Sequence, residues 1–420
     1  MKRIFISLFF FAFMWTAAGA DASPELLFVR WPANPDAVWY SFRIVPVTQH
    51  FGRKEMRPPI YEDGHVFRDS VMIEKEITDS YDGPGILCCQ VKAIGLDGQS
   101  ISAYSAPVPM EKAAQEMERY APKIRVKYHE QNGTVLLYPA YSFVKIPHAV
   151  SYEVEITDEE PENPDGCEPS VHRISQGIVT IPELFDELPR QGTVWWRVRG
   201  LDENGGPVGV WSEAEKIVND PAENWETGIL GDSISHGGGR MSYSPADWPY
   251  NYAYYLDFPT INMSRSGDKT EDLLRRFDAD VLPFHVRYLL IMGGTNNLRS
   301  GGTAEEVISD LEALQEKCRA NDIKPVLLTI PPIAPERILK YYHQPTAENW
   351  KAEFDKVNGW IRTQTHIDTA APFAMYEDMP ENLAADGLHP DKEAKEKMGK
   401  IINEKFPEIR KKISETKIQK

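Results

Sequence analysis

Three residues in the second half of the chain have the types and spacing that acyl transfer requires. Ser233 follows the short apolar run 228–230 in the segment GDS, and Asp386 and His389 lie three residues apart in the segment DGLHP. A serine hydroxyl becomes a good nucleophile when a neutral imidazole removes its proton, and a carboxylate can orient that imidazole and stabilise its charged form. Each segment alone is typical of an ordinary turn, but together they predict a triad of Ser233, His389 and Asp386.

Two further segments supply hydrogen-bond donors for the negative oxygen that forms when an ester carbonyl is attacked. Gly267 lies in the segment SGD and Asn296 in the segment GTNN, each after a strand-like run. Donors held in place beforehand stabilise such an oxyanion, and glycine lets the backbone approach the reacting centre closely. We therefore predict an oxyanion hole formed by the N–H groups of Ser233 and Gly267 and the side-chain amide of Asn296.

The four segments together resemble the motif blocks of the SGNH, or GDSL-like, hydrolase family. The blocks are GDS at 231–233, SGD at 266–268, GTNN at 294–297 and DGLHP at 386–390. The resemblance covers the C-terminal domain, predicted at 226–415. It implies a catalytic set with a serine nucleophile, a carboxylate-oriented histidine base and two oxyanion donors besides the serine N–H: Ser233, Asp386, His389, Gly267 and Asn296. It also implies a flavodoxin-like, three-layer α/β/α fold around a parallel five-stranded sheet.

Asn297 departs from the family pattern. The family often has Asp after the asparagine of its third block, where this chain has Asn297. We expect this difference to change local hydrogen bonding and to leave the mechanism unchanged.

The elements that must position these residues are indicated by the hydrophobic pattern of the C-terminal domain. Helical patterns alternate there with strand-like runs, which favours a parallel sheet covered by helices on both faces. In the helix that begins after Thr303, Glu306 completes a capping box, and apolar residues recur at helical spacing. The predicted strands are 228–230, 259–262, 287–293 and 324–330, and two further helices are predicted at about 346–363 and 391–406. Functional groups gather at the carboxyl ends of the strands in such sheets.

The N-terminal half has short alternating strands and frequent turns instead. The segment 29–45 is echoed at 137–156, with an aromatic-Pro opening followed by an aromatic and aliphatic strand. Two such units predict tandem all-β sandwiches, and they resemble fibronectin type III modules at 21–110 and 120–218. The resemblance implies a spacer or a carbohydrate-facing accessory role. Trp195 is either a sugar-stacking platform or an aromatic packed against a neighbour.

Length, charge and the N-terminal segment restrict the class of protein. A chain of 420 residues predicts two or three domains, and residues 1–20 read as basic, apolar and then small, which predicts a cleaved signal peptide and export to the periplasm or beyond. The formal charge of −17 argues against nucleic acid and anionic lipid surfaces as partners. After residue 20 no apolar segment reaches the roughly 20 residues of a membrane span.

No motif indicates a cofactor or a metal. The sequence lacks a His-Glu-x-x-His segment, paired Cys-x-x-Cys segments and a phosphate-binding glycine loop, so we expect cofactor-free chemistry. The four cysteines are not spaced as a disulfide framework, although one bridge is possible. His236 is either a pocket-lining residue, as Arg240 and Trp248 are also candidates to be, or a surface histidine with a local hydrogen bond, and the second interpretation is favoured; it is kept outside the catalytic set.

These patterns predict an exported serine esterase that acts through an acyl-enzyme. The substrate hypothesis is a short acyl ester, most specifically an O-acetyl group on a polysaccharide, because the chain combines export, accessory modules and the absence of a long apolar segment that could form a lid. One alternative is a lysophospholipase or thioesterase with the same triad. A second alternative is a glycan-binding surface protein without activity. The oligomeric state is not indicated.

Overall fold

The computed structural model describes five ranges of the chain, 25–34, 36–125, 135–223, 225–238 and 244–418. The predicted signal peptide at 1–20 and the pocket candidate Arg240 lie outside these ranges.

The first β-rich region contains two antiparallel sheets. One has the strand order β5-β1-β8, and the other has the order β3-β2-β6-β7 with β4 also paired to β2. The strands are β1 (Leu26–Arg30), β2 (Trp39–His50), β3 (Arg53–Met56), β4 (Tyr61–Phe67), β5 (Ser70–Glu74), β6 (Ile86–Ile94), β7 (Val108–Pro109) and β8 (Ala114–Met117), with single-turn helices α1 (Glu76–Asp79) and α2 (Met110–Ala113). The pairing of β8 with β1 carries this region to residue 117.

The second β-rich region repeats the two-sheet arrangement. Its sheets have the orders β14-β11-β9 and β13-β12-β15-β16, with β17 also paired to β15. The strands are β9 (Lys123–Ile124), β11 (Ala140–Val144), β12 (Ser151–Thr157), β13 (Arg173–Val179), β14 (Glu183–Phe185), β15 (Gly192–Leu201), β16 (Pro207–Val208) and β17 (Glu215–Asn219). Alternation in β15 buries Val194, Trp196 and Val198 on one face. Trp195, on the other face, is half-buried, with the ammonium of Lys216 5.3 Å from its ring centre.

The C-terminal region is built on a parallel sheet of six strands in the order β10-β19-β18-β20-β21-β22. Five of these strands come from the C-terminal region: β18 (Thr227–Gly231), β19 (Ile261–Asn262), β20 (Tyr288–Met292), β21 (Lys324–Leu328) and β22 (His366–Ile367). The sixth, β10 (Val135–Leu136), lies in the sequence between β9 and β11 of the second β-rich region and pairs with β19 at the edge of the sheet, which therefore has one strand more than the five predicted. Without β10, the unpaired backbone N–H and C=O groups of β19 would be open to pairing with another strand; β10 pairs with them instead.

Helices cover both faces of this sheet. They are α3 (Ser233–His236), α4 (Thr270–Asp280), α5 (Thr295–Arg299), α6 (Ala304–Ala320), α7 (Pro335–Tyr342), α8 (Trp350–Ile361) and α9 (Lys392–Ile418). In β20, Leu289 and Ile291 pack against α4, α6 and α8, whereas Tyr288, Leu290 and Met292 pack on the side of α9. A strand buried on both faces must be apolar throughout. The predicted three-layer architecture of the C-terminal region is therefore confirmed.

The three regions share buried contacts. One apolar cluster contains Leu26 and Met72 from the first region, Tyr141 and Trp196 from the second, and Trp248 from the C-terminal region. Trp248 thus packs in the core between regions, and this corrects its interpretation as a pocket residue. All four cysteines are free. Within the described ranges, no helix is both long enough and apolar enough to cross a membrane.

Candidate active site

Ser233 stands at the point where the central strand of the parallel sheet ends. Strand β18 ends at Gly231, Asp232 caps the following turn by accepting a hydrogen bond from the N–H of Ile234 at 2.9 Å, and Ser233 opens the single-turn helix α3. A Cβ atom on Gly231 would lie 2.6 Å from the carbonyl oxygen of Met292 on the neighbouring strand. The turn that presents Ser233 is therefore packed too closely for a larger residue at Gly231.

The loop before α9 brings the predicted partners of Ser233 to the same strand end. His389 Nε2 lies 3.0 Å from Ser233 Oγ, and His389 Nδ1 lies 2.8 Å from Asp386 Oδ2. The other carboxylate oxygen of Asp386 accepts hydrogen bonds at 2.8 Å from the N–H groups of Leu388 and His389. The sequence separation of three residues thus folds into a local turn that holds the carboxylate against the imidazole.

The electrostatics of Asp386 determine which imidazole nitrogen carries the proton. Burial alone would raise the pKa of Asp386, but the nearby His389 and four hydrogen-bond donors outweigh it and lower the pKa to about 2. The ionised carboxylate only accepts hydrogen bonds, so Nδ1 of His389 is the donor. In neutral His389 the lone pair is then on Nε2, where it can accept the hydroxyl proton of Ser233.

Tyr342 is a fourth member of this cluster that sequence reasoning missed. Its hydroxyl donates to Asp386 Oδ2 at 2.6 Å and lies 3.2 Å from His389 Nδ1. Tyr342 is the last residue of α7, a helix of eight residues that was not predicted. No motif marks it, because its role depends on a contact across 44 residues of sequence.

The predicted oxyanion donors come from separate elements: Gly267 lies in the turn before α4, and Asn296 lies in the first turn of α5. Gly267 has φ of +89°, a conformation that disfavours residues with a side chain. Asn296 donates one amide hydrogen to the carbonyl oxygen of Asp268 at 2.9 Å, and its Oδ1 accepts from Arg299 Nε at 3.2 Å. Its second amide hydrogen remains available. Gly267 and Asn296 line the same cavity as Ser233 and His389.

His236 is buried, with 2% exposure, which corrects its interpretation as a surface residue. Burial lowers its pKa to about 4, so the ring is neutral at pH 7. Its Nε2 lies 2.7 Å from the carbonyl oxygen of Tyr138, which can only accept, so Nε2 carries the proton. Nδ1 is then the acceptor for the Ser266 hydroxyl at 2.9 Å. His236 therefore joins the second β-rich region to the loop that carries Gly267.

Buried ionisable groups lie behind Ser233. Burial raises the pKa of Asp232 to about 6 and lowers the pKa of Lys395 to about 7, with part of the latter shift opposed by the negative charges of Asp232, Asp391 and Asp386. The ammonium of Lys395 donates to the carbonyl oxygen of Ile234 in the turn after Ser233. Asp232 and Lys395 thus both hydrogen-bond the backbone of Ile234 and hold the turn that presents Ser233.

The cavity in front of Ser233 has a volume of about 590 Å³, and more of its lining surface is apolar than polar. Phe185, Pro245, Leu388 and the ring of Tyr342 line it together with a larger number of polar and charged residues. The charged and amide side chains outside the predicted catalytic set are Asp186, Glu187, Arg265, Asp268, Asp272, Arg299 and Gln344. Within the described ranges, no cluster of three or more His, Cys, Asp or Glu residues could hold a metal ion.

Comparisons with known proteins find similarity in the C-terminal part of the chain. Residues 229–397 match the sequence profile of the GDSL-like Lipase/Acylhydrolase family. A curated relative, "Thioesterase 1/protease 1/lysophospholipase L1" of Escherichia coli K12, is 29% identical over 171 residues, which are 40% of this chain and 76% of the relative.

Two solved structures illustrate the structural similarity, each over less than half of this chain. A GDSL-like lipase from Bacteroides thetaiotaomicron is 18% identical, with a TM-score of 0.37, and covers 45% of this chain and 90% of its own. Axe2, an acetylxylan esterase from Geobacillus stearothermophilus, is 19% identical, with a TM-score of 0.33. The match covers 42% of this chain and 92% of Axe2. The profile match does not extend into the β-rich regions, whose fibronectin type III assignment stays a prediction. The profile and the curated relative together support a GDSL-like lipase/acylhydrolase domain at residues 229–397.

Proposed function

We propose that this protein is an exported serine esterase that hydrolyses short acyl esters, specifically O-acetyl groups on a polysaccharide. The observation that carries the proposal is the chain of contacts from Ser233 Oγ through the His389 ring to Asp386, at 3.0 and 2.8 Å, beside a cavity that Ser233 and His389 line. Arginine, carboxylate and amide side chains also line this cavity and can hydrogen-bond a polyhydroxylated leaving group.

In the proposed mechanism, His389 Nε2 removes the hydroxyl proton of Ser233 as Oγ attacks the ester carbonyl carbon. The carbonyl oxygen becomes an oxyanion held by the N–H groups of Ser233 and Gly267 and the amide of Asn296. Asp386 stabilises the imidazolium, which then protonates the leaving alcohol as its bond to the acyl carbon breaks. Water deprotonated by His389 then attacks the acyl carbon of the acyl-enzyme. The bond from that carbon to Ser233 Oγ breaks, the proton on His389 returns to Oγ, and the carboxylic acid leaves.

A lysophospholipase or thioesterase activity is the second candidate, favoured by the printed activities of the Escherichia coli relative. It differs from the first in acyl length and leaving group, since both would use the same triad. The two candidates therefore predict opposite chain-length preferences.

The test compares p-nitrophenyl acetate with p-nitrophenyl decanoate, using wild type and Ser233→Ala. We expect acetate to be the better substrate and the variant to lose turnover by at least about 10⁴-fold, because a triad without its nucleophile retains only the oxyanion hole and binding. A preference for decanoate would favour the lipid or thioester candidate. Retained turnover in a folded Ser233→Ala variant would contradict both candidates, because hydrolysis would not depend on Ser233. No turnover of either ester by wild type or variant would instead favour a protein that binds glycans without hydrolysing them.

A further inference from the structure

The cavity in front of Ser233 has one wall that does not come from the catalytic domain. Phe185, Asp186 and Glu187, at and after the end of β14 in the second β-rich region, line the same cavity as Ser233 and His389. The catalytic domain matched by the family profile begins at residue 229. A catalytic domain alone would leave this side of the cavity open.

Hydrogen bonds fix the wall within its own region. Asp186 Oδ2 accepts from the Tyr141 hydroxyl at 2.7 Å and from Arg190 Nε at 2.6 Å, and its Oδ1 accepts from the N–H of Leu188 at 3.0 Å. The N–H of Asp186 donates to the carbonyl oxygen of Pro139 at 2.9 Å. Asp186 is thus a structural centre that holds Phe185 and Glu187 on either side of it.

The region that carries the wall is also bound to the catalytic sheet. Strand β10 pairs with β19, the Tyr138 hydroxyl donates to Asp280 Oδ2 at 2.7 Å, and Gln191 Nε2 donates to the carbonyl oxygen of Ala279 at 2.8 Å. The Tyr138 carbonyl accepts from His236, three residues after Ser233. The wall is therefore held in a defined position relative to the nucleophile, as a preformed binding surface requires.

The two outer residues of the wall suit a carbohydrate. The Phe185 side chain is 38% exposed, which is high for a large apolar residue and leaves ring surface open to a ligand. Glu187 is exposed and accepts no hydrogen bond from the described residues. An aromatic ring can pack against the C–H face of a sugar while a carboxylate accepts from its hydroxyl groups. Arg299 and Gln344 line the same cavity and add donors.

We propose that Phe185 and Glu187 form a sugar-binding subsite for the leaving group, so that the second β-rich region sets the leaving-group specificity of the esterase. The proposal rests on the proposed serine esterase function and adds the part of the substrate that the triad does not touch. The acyl group lies at Ser233 and the oxyanion donors, and the glycan extends from there along the wall.

The experiment measures kcat and KM for Phe185→Ala and Glu187→Gln in the full chain. The substrates are p-nitrophenyl acetate, lysophosphatidylcholine and a panel of O-acetylated xylo-, manno- and galacturono-oligosaccharides. For the best glycan substrate we expect each variant to lose about tenfold in kcat/KM, mainly through KM, with a change below about twofold on p-nitrophenyl acetate, whose leaving group is too small to span the wall. Phe51→Ala and Glu213→Gln change exposed residues of the same types outside the cavity and are the matched controls.

Four results would overturn the subsite. These are equal losses on p-nitrophenyl acetate and glycans, no loss on either, Ser233-dependent hydrolysis of p-nitrophenyl acetate with no glycan hydrolysed by wild type, or a larger loss on lysophosphatidylcholine than on glycans. The last would assign the wall to a quaternary ammonium head group, which a ring and a carboxylate can also bind. None of these four results would contradict the proposed function of a Ser233-dependent esterase. Loss of Ser233 dependence on every substrate would instead refute the proposed function itself.

Discussion

Asn296 has two of its hydrogen-bonding groups occupied by the protein, and this fixes where its remaining donor points. Asp268 accepts one amide hydrogen and Arg299 holds Oδ1, so the amide plane cannot rotate without losing both bonds. We expect Asn296→Ala to lower kcat by roughly 10²- to 10³-fold, the usual effect of removing one oxyanion donor. Steady-state kinetics on p-nitrophenyl acetate measure it. An unchanged kcat in a folded variant would exclude Asn296 from the oxyanion hole.

His236 makes the stability of the fold depend on pH. Burial, together with the positive charges of Arg276, Lys395 and Arg265, lowers its pKa to about 4, whereas the unfolded residue has the ordinary value of 6.5. Between these values the unfolded chain binds the proton more readily, so this contribution to stability is complete above pH 6.5 and is lost as the pH falls towards 4.

The variant His236→Gln tests this linkage. Urea unfolding at pH 7 and pH 5 should show that wild type loses about 2 kcal/mol more stability over that interval than the variant does, since a depressed histidine pKa contributes about 1.4 kcal/mol per pH unit below the ordinary value. Glutamine keeps a donor for the Tyr138 carbonyl and does not titrate. Equal pH dependence of the two proteins would show that His236 can take up a proton in the folded state.

At the scale of elements, Asn297 positions a helix whereas its neighbour Asn296 faces the cavity. Asn297 Oδ1 accepts from the N–H of Thr270 at 3.0 Å, and its Nδ2 donates to Glu271 at 2.8 Å, so it caps the start of α4. Asn297→Ala would leave a buried N–H unpaired, which costs about 1 to 3 kcal/mol. We expect that loss in urea unfolding with kcat reduced by less than about threefold. A kcat loss equal to that of Asn296→Ala would contradict this division.

The strands that precede the motif residues were predicted from the sequence more accurately than the short helix α7. Three predicted strands match observed ones, with ends that differ by at most two residues. The predicted runs 228–230, 287–293 and 324–330 correspond to β18, β20 and β21. Continuous apolar strands followed by polar turns leave a local signal. The short helix α7 follows a proline-rich segment, and its eight residues offer little periodicity, so its terminal Tyr342 was missed.

Long-range pairing explains the other differences. Strand β10 has two residues, and its partner β19 lies about 125 positions later, so no local pattern could assign it to the catalytic sheet. The same holds for Phe185 and Glu187, which reach the cavity only because the second β-rich region is attached to that sheet. The five predicted site residues, by contrast, come from four short motifs. Ser233, Gly267, Asn296 and His389 line one cavity, and Asp386 is hydrogen-bonded to His389.

At the scale of the whole molecule, a buried ionic cluster lies where the three regions meet. Arg68 from the first region contacts Glu183 of the second at 3.4 Å and Asp247 of the C-terminal region, and Arg125 contacts Asp69 at 3.0 Å and Asp247 at 3.8 Å. Burial raises the pKa of Glu183, and Arg68 opposes that shift. Buried charges of this kind depend on their partners, because water is not available to replace them.

Arg68→Met tests whether this cluster joins the regions into one folding unit. Its side chain is 5% exposed, and removing it leaves two acidic groups with fewer partners, so we expect a loss of about 3 kcal/mol or more in the free energy of unfolding. Arg30→Met is the matched control, because Arg30 pairs with Asp69 at a site where its side chain is 67% exposed and such pairs contribute about 0 to 1 kcal/mol. Urea unfolding followed by tryptophan fluorescence and by esterase activity should shift together in Arg68→Met, since the catalytic sheet and both β-rich regions share the affected core. A shift confined to fluorescence, with the activity transition unmoved, would mean that the catalytic domain unfolds independently of the regions that precede it.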